Sequence, residues 1–217
     1  MAAPKTRDRV LESSLELFNV RGVSNVTTAE IARTVGINEG NLYYYFQKKE
    51  QLVTALFDSF EAEIRVTAAG DLQNPKDPSE YIGYLRGWFA TAWRYRFVQR
   101  DIAALFEMAP GLRERAAVMI TDAEDASRRV LQRVVAAGLL TVEPEMLEPL
   151  LANIWIVSSH WIDHLALRHR ARALGPADLD WGFRQVLALF LPYLSEELRG
   201  WIASPAAPFA SISEARV

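Results

Sequence analysis

Residues 38–50, Asn-Glu-Gly-Asn-Leu-Tyr-Tyr-Tyr-Phe-Gln-Lys-Lys-Glu, bring side-chain amides, two carboxylates, three phenols and two ammonium groups into one short stretch. None of these groups makes or breaks bonds in that company, but together they suit hydrogen-bonded recognition. Asn41 offers the donor–acceptor pair that matches adenine, and Glu39 can accept from the amino group of cytosine. The hydroxyls of Tyr43 and Tyr44, with Lys48 and Lys49 beside them, suit phosphate oxygens. Elsewhere the chemistry is thin. The sequence has no Gly-rich phosphate loop, no Gly-x-Ser-x-Gly and no cysteine, so nucleophilic catalysis has no obvious agent. The three histidines fall together in "HWIDHLALRH" as His160, His164 and His169. His160 and His164 share a helix face, a possible metal pair, but Asp163 lies on a neighbouring face and no HExxH pattern is present. The expectation is no metal, no cofactor and no enzyme, with the histidines making polar contacts at a subunit interface or in a ligand pocket.

The elements that must hold residues 38–50 are helical. The 217 residues are 50% apolar, carry a formal charge of −3 and contain no cysteine, so packing alone stabilises the fold. The start "MAAPKTRDRV" has no apolar core of a secretory signal, and the run "VLALFLPYL" is well short of the ~20 residues of a membrane span. A cytoplasmic protein is expected. Within 1–50, Lys5, Arg7, Arg9, Arg21, Arg33, Lys48 and Lys49 nearly balance Asp8, Glu12, Glu16, Glu30, Glu39 and Glu50. Any contact with nucleic acid must therefore be placed rather than diffuse.

Spacing of three to four residues dominates, and no strand alternation appears. Val10, Leu11, Leu15 and Phe18 set the face of a first helix that Gly22 stops. Thr27 and Glu30 form a capping box for a second helix, with Val26 and Ile31 as its hydrophobic staple. Gly36 ends that helix, and Asn38 caps a third, stapled by Ile37 and Leu42. Two short capped helices joined by "VGIN" make a helix-turn-helix. In the third helix Leu42 and Phe46 pack inward, while Glu39, Gly40, Asn41, Tyr43 and Tyr44 face outward, where such a helix meets base edges in the major groove.

The stretch "TTAEIARTVGINEGNLYYYFQKKEQL" resembles the DNA-binding motif of the TetR family of bacterial transcriptional regulators, with similarity over residues 6–56. The resemblance implies an all-helical homodimer on a near-palindromic operator, with a small-molecule effector bound in the C-terminal domain. Thr27, Thr28, Tyr43, Tyr45 and Lys49 match phosphate-contacting positions. Asn38, Glu39, Gly40, Asn41 and Tyr44 match positions near bases or their flanking phosphates. Lys48 departs from the pattern, replacing a small capping residue; it adds a possible phosphate contact and invites fraying of the next helix.

Beyond residue 48, helices are expected at 48–69, 79–96, 99–108, 112–137, 144–169 and 178–203, nine in all, with "GDLQNPKDP" as a hinge. The reading is an all-α chain: a three-helix DNA-binding domain at 1–50, a connecting helix 48–69, an effector-binding and dimerisation domain at 51–203, and a flexible tail at 204–217. Helices 144–169 and 178–203 lack a polar face, which requires burial on two sides and makes a second subunit the simplest cover. Leu151, Ile162, Leu165, Phe183, Leu187, Phe190 and Leu194 are the interface candidates, and Pro192 should kink the last helix. Gly83 and Gly87 mark either a close helix crossing or room for a ligand. An apolar pocket, for an apolar or aromatic effector, could use Trp88, Trp93, Phe106, Met108, Met119, Trp155 and His160. The leading function is a repressor released from its operator by an effector. The alternative is an activator, or a DNA-tethered adaptor for another protein, without a small-molecule effector.

Overall fold

Capping signals set the beginnings and ends of the first helices. In a computed structural model describing residues 5–70, 72–168 and 174–203, with no side chain described beyond 200, α1 spans Thr6–Arg21. It buries Val10, Leu15 and Phe18 and stops at Gly22, whose φ of 84° is costly for a residue with a Cβ. A 3₁₀ turn, Val23–Asn25, leads to α2 (Thr28–Val35), capped by Thr27. Gly36 closes α2 in the left-handed region (φ 76°), and Ile37 N–H reaches back to the Ala32 carbonyl at 3.0 Å. Helix α3 covers Glu39–Tyr45 and α4 covers Lys49–Ala68. No side-chain cap comes from Lys48; instead Gln51 Oε1 accepts from Gln47 N–H at 2.7 Å, just ahead of α4.

Next come α5 (Pro78–Arg94), α6 (Arg96–Arg100), α7 (Ile102–Met108), α8 (Leu112–Ala136), α9 (Pro144–Arg168), α10 (Pro176–Phe190) and α11 (Glu196–Ala203). The described residues thus form eleven α-helices rather than the expected nine, because two expected helices are broken. The helix expected at 99–108 is interrupted at Asp101 (φ −109°, ψ 21°), whose carboxylate accepts from Val23 N–H at 2.8 Å. The helix expected at 178–203 is not kinked at Pro192 but ended there. A 3₁₀ turn, Leu191–Tyr193, gives way to extended Leu194, which pairs in an isolated antiparallel bridge with Leu140. Thr141 N–H donates to Tyr193 and Ser195 N–H to Leu139, so backbone groups freed by the proline region find partners outside the helix. His169, the Trp201 side chain and the expected tail at 204–217 lie outside the described residues.

The chain divides into two compact units. One comprises Met1–Glu63 and Arg94–Met119, the other Ile64–Trp93 and Ile120–Val217. The first has a core of Val10, Phe18, Val23, Ile31, Leu42, Leu52, Val53, Phe57, Phe97 and Leu105, all at 0% exposure. Polar ties fasten α1 to the segment at 94–101. Asn19 donates to the Arg94 carbonyl (2.7 Å) and accepts from Phe97 N–H (3.0 Å), and Arg100 donates to the carbonyls of Phe18 and Asn19. Those two carbonyls lie in the last turn of α1, where a cation is favoured.

The second unit is organised around two apolar clusters. One gathers Leu72, Tyr81, Tyr84, Leu131, Leu140, Leu150 and Leu151 with their neighbours. The other holds Ile82, Phe89, Trp161, Ile162, Leu165, Phe183 and Val186. In it Trp161 stacks on Phe89 (27° between rings) and on Trp93 (14°). Helices α9 and α10 pack on each other, and Gly182 provides the clearance: a Cβ there would lie 2.5 Å from Trp161 Cδ2. The two glycines of α5 have different surroundings. A Cβ at Gly87 would touch Thr67 at 3.3 Å, whereas one at Gly83 would meet nothing within 4 Å.

Gly182→Ala should destabilise the protein by about 1–3 kcal/mol, the usual range for overpacking a filled core. Urea unfolding followed by tryptophan fluorescence checks this, and an unchanged midpoint would mean that the Trp161 stack yields without cost.

Candidate nucleic-acid interface

Helix α3 is short, and its two faces differ sharply. Leu42 is 0% and Phe46 3% exposed, while Tyr43, Tyr44 and Tyr45 are 42%, 83% and 38% exposed. The aromatic run is therefore split, with Tyr44 and Tyr45 in edge-on contact at 5.2 Å on the outer side. Asn38 accepts from Asn41 N–H at 2.8 Å and so fixes the first turn. A Cβ at Gly40 would approach Asn38 Oδ1 to 3.3 Å, so glycine leaves that capping contact unobstructed. Glu39, Gly40 and Asn41 follow one another along an outer face whose members are exposed or half-buried.

Three of the predicted residues bind one another. Thr28 Oγ1 donates to Glu39 Oε1 (2.8 Å), Tyr43 Oη donates to the same oxygen (3.0 Å), and the two hydroxyls lie 3.2 Å apart. The start of α2 and the face of α3 are thus joined through one carboxylate oxygen. Thr27 belongs to a second network. Its hydroxyl accepts from Glu30 N–H, its own N–H donates to Glu30 Oε2, and Arg21 donates to Glu30 Oε1 at 2.9 Å. The Thr27 backbone N–H, then the Arg21 guanidinium and the Thr27 hydroxyl, hold the Glu30 carboxyl at about 2, down from the usual 4.5.

The two adjacent lysines have different environments. Lys48 is exposed. Lys49 is half-buried, donates to the Val23 carbonyl and stands 5.8 Å from the centre of the Phe18 ring. Burial lowers its pKa, with Glu30 opposing that shift. Lys49 therefore clamps the start of α4 to the turn after α1. Sequence reasoning counted Arg7 and Arg9 only as charges. Arg7 lies 5.2 Å over the Phe46 ring, and Arg9 donates to the Val35 carbonyl at the end of α2. A local pattern carries no signal for either contact.

The other predicted residues fall in both units. Phe106, Met108 and Met119 belong to the first unit; Trp88, Trp93, Trp155 and His160 belong to the second. Trp88 meets Trp155 at 5.9 Å, Trp93 stacks on Trp161, and the Arg113 guanidinium lies 4.8 Å over Phe106. His160 is exposed with Nδ1 3.1 Å from the Ile156 carbonyl oxygen, and exposed His164 stacks on Trp181. Among the described residues no His, Asp or Glu cluster could hold a metal. Of the interface candidates, Leu151, Ile162, Leu165 and Phe183 are buried inside the unit, while Leu187, Phe190 and Leu194 are half-buried against its clusters. The large apolar side chains that α9 exposes among the described residues are Met146, Ile156 and Leu167.

Comparison with known proteins places this arrangement in context. A profile of bacterial regulatory proteins of the tetR family matches residues 10–56, and a profile described as a bacterial transcriptional repressor, TetR, matches residues 46–200. The chain is 35% identical over 77 residues to the HTH-type transcriptional regulator TtgR of Pseudomonas putida, covering 35% of this chain and 37% of that protein. It is 30% identical over 99 residues to the Tetracycline repressor protein class C of Escherichia coli, covering 46% of this chain and 43% of that protein. The chain thus spans less than half the length of these curated relatives. A crystal structure of a TetR-family transcriptional regulator from Marinobacter aquaeolei VT8 is similar with a TM-score of 0.80 and 32% identity, over 91% of this chain and 95% of that one. Among the described residues no helix is long and apolar enough to cross a membrane.

Thr27→Ala should cost about 1 kcal/mol of stability, the usual loss when an N-cap hydroxyl is removed. Because the Glu30 carboxyl is depressed in the folded protein, its contribution is complete above pH 4.5 and is lost as pH falls toward about 2. The stability gap between the wild type and Glu30→Gln should therefore be flat from neutral pH to about 5 and narrow below it. Urea unfolding at a series of pH values reads this directly, and a gap that does not change with pH would exclude the charged network.

Proposed function

This chain belongs to the TetR family of bacterial transcriptional regulators, and from that premise we propose that it is a sequence-specific DNA-binding repressor released from its operator by a small-molecule effector. The family and the relatives matched are regulators, not enzymes. The proposed protein works in the cytoplasm as a homodimer on a near-palindromic operator. Residues 1–50 read DNA, α4 connects, and residues 51–203 bind the effector and the second subunit. The observation that best supports this reading is the split of α3, with Leu42 and Phe46 buried and three consecutive tyrosines turned out.

In the proposed complex α3 enters the major groove. Glu39, Asn41 and Tyr44 meet base edges or adjacent phosphates, and Gly40 lets the backbone approach. Thr27, Thr28, Tyr43, Tyr45 and Lys48 meet phosphates, with the amides at the start of α2. Engaging a phosphate through Thr28 or Tyr43 requires those hydroxyls to turn from Glu39, whose freed carboxylate then becomes available to a cytosine amino group. Lys49 contributes by holding the start of α4 rather than by direct contact. The second subunit covers the outer stripe of α9 that includes Ile156, His160 and Leu167, so that the histidines supply polar contacts within an apolar seam.

Effector acts by population shift: it binds the dimer conformation in which the two reading heads are wrongly spaced. Reciprocity then requires operator DNA to weaken effector binding by the same factor.

Titration onto the DNA flanking the protein's own gene at several salt concentrations should give tight, salt-sensitive binding. Lys48→Ala should lower the log–log salt slope by about 0.9 for each phosphate it no longer neutralises, doubled in the dimer, with unfolding unchanged. Lys49→Ala should lower stability as well. A Tyr44→Ala, Lys48→Ala double variant that binds as tightly as the wild type would exclude this contact set. A complex that no small molecule releases would favour the adaptor or activator.

A further inference from the structure

The start of α5 and the end of α4 enclose a groove of about 240 Å³ lined by Thr67, Gly70, Leu72, Glu80, Gly83, Tyr84 and Gly87. All seven residues lie in the second unit. The lining is apolar for the most part, and three of the seven are glycines. Gly83 is open to it, since a Cβ there would touch nothing within 4 Å. The ring of Tyr84 flanks Gly70, where a Cβ would lie 3.3 Å from the aromatic edge.

Glu80 supplies the charge among these lining residues. Its Oε1 accepts from Asn74 N–H at 2.9 Å, whereas Oε2 is buried and accepts no hydrogen bond. No ion pair to Glu80 is present among the described residues; Arg133, the cation acting on neighbouring Tyr81, donates to the Leu72 carbonyl at 2.7 Å. A carboxylate oxygen withdrawn from water without a partner is costly and is relieved by a cation or a strong donor. Thr67 and Gly70 bring a second source of negative potential, the carbonyl end of α4, with Gly70 N–H turned back to the Thr67 carbonyl at 3.1 Å.

We propose that this groove binds a small organic cation, an amine or quaternary ammonium with an apolar body, with its charge at Glu80. The volume is below the ~300–1,000 Å³ of drug-sized pockets, which restricts the ligand to a compact molecule. As an assignment of the effector this rests on the repressor reading above; as a binding site it stands without it. Carboxylates and phosphates are excluded by Glu80, and neutral isosteres forfeit the charge-assisted bond.

Isothermal titration of the full chain with benzylamine and choline, beside benzyl alcohol and benzoate, tests the proposal in the absence of DNA. A cation should saturate the protein, with benzyl alcohol and benzoate at least tenfold weaker. Glu80→Gln, which can keep the Asn74 bond, should weaken the cation at least tenfold with unfolding unchanged, and Gly83→Leu should abolish binding by filling the groove. The proposal is overturned if neither cation saturates, if the neutral or anionic probe binds as well, or if Glu80→Gln leaves the affinity intact. Operator release measured on the same samples separates the two readings. Binding without release keeps the site and removes its effector role. Release by other molecules that Gly83→Leu does not affect keeps the effector mechanism and removes it from this groove.

Discussion

A helix as short as α3 has too few internal hydrogen bonds to persist alone, since isolated helices under ~12–15 residues are marginal in water. It exists here because Leu42 and Phe46 are withdrawn from solvent, each contributing about 1.5–3 kcal/mol of burial, and because Asn38 fixes its first turn. That anchoring sets the helix rotation. With positions 42 and 46 inward, positions 40, 41 and 44 are carried to the opposite side, whatever their chemistry, while Glu39 is left half-buried beside the inward pair. The aromatic run thus serves two media at once, and phenols suit its outer half because each has a hydroxyl for water or for a partner.

The polar groups of that face are held before any partner arrives. One oxygen of Glu39 receives both Thr28 and Tyr43, and the Thr27–Glu30–Arg21 network ties α2 to the last turn of α1. Such local closure reduces the number of rotamers that binding must still select, which lowers the ordering cost at an interface. The same closure means that some internal hydrogen bonds are exchanged rather than added on contact with a phosphate. Selectivity then depends on how well the incoming groups replace Glu39 as acceptor.

Much of this was readable in the sequence because the determinants are local. The Thr27–Glu30 capping box, the Asn38 cap and the stops at Gly22 and Gly36 depend on residues within four positions of one another. The break at Asp101 depends on Val23, far earlier in the chain, and no neighbouring residue announces it. The family resemblance put Lys49 at a phosphate-contacting position, but that its ammonium also donates to a carbonyl 26 residues earlier depends on how the turn after α1 packs. Pro192 was visible, yet whether it bends or ends a helix depends on the backbone of 139–141 standing ready to accept the chain. The apolar positions of α9 and α10 told that these helices are buried but not against what. Leu151, Ile162, Leu165 and Phe183 are buried within the unit, whereas Ile156 and Leu167 of α9 are exposed.

Asn19 and the adjacent pair Arg100 and Asp101 bear on how such a protein can be recombined. Through these residues the end of α1 and the turn after it are bonded, backbone to side chain, to a segment some eighty residues later in the chain. A reading head excised at the end of α3 or in α4 would carry away carbonyls and amides whose partners stay behind. Transplanting it onto another regulator would leave Val23 N–H and the last carbonyls of α1 facing a surface that evolved for a different head. The transferable module is therefore discontinuous: it includes Arg94–Met119 together with the N-terminal helices, and shuffling by a single crossover is disfavoured by its own hydrogen bonds.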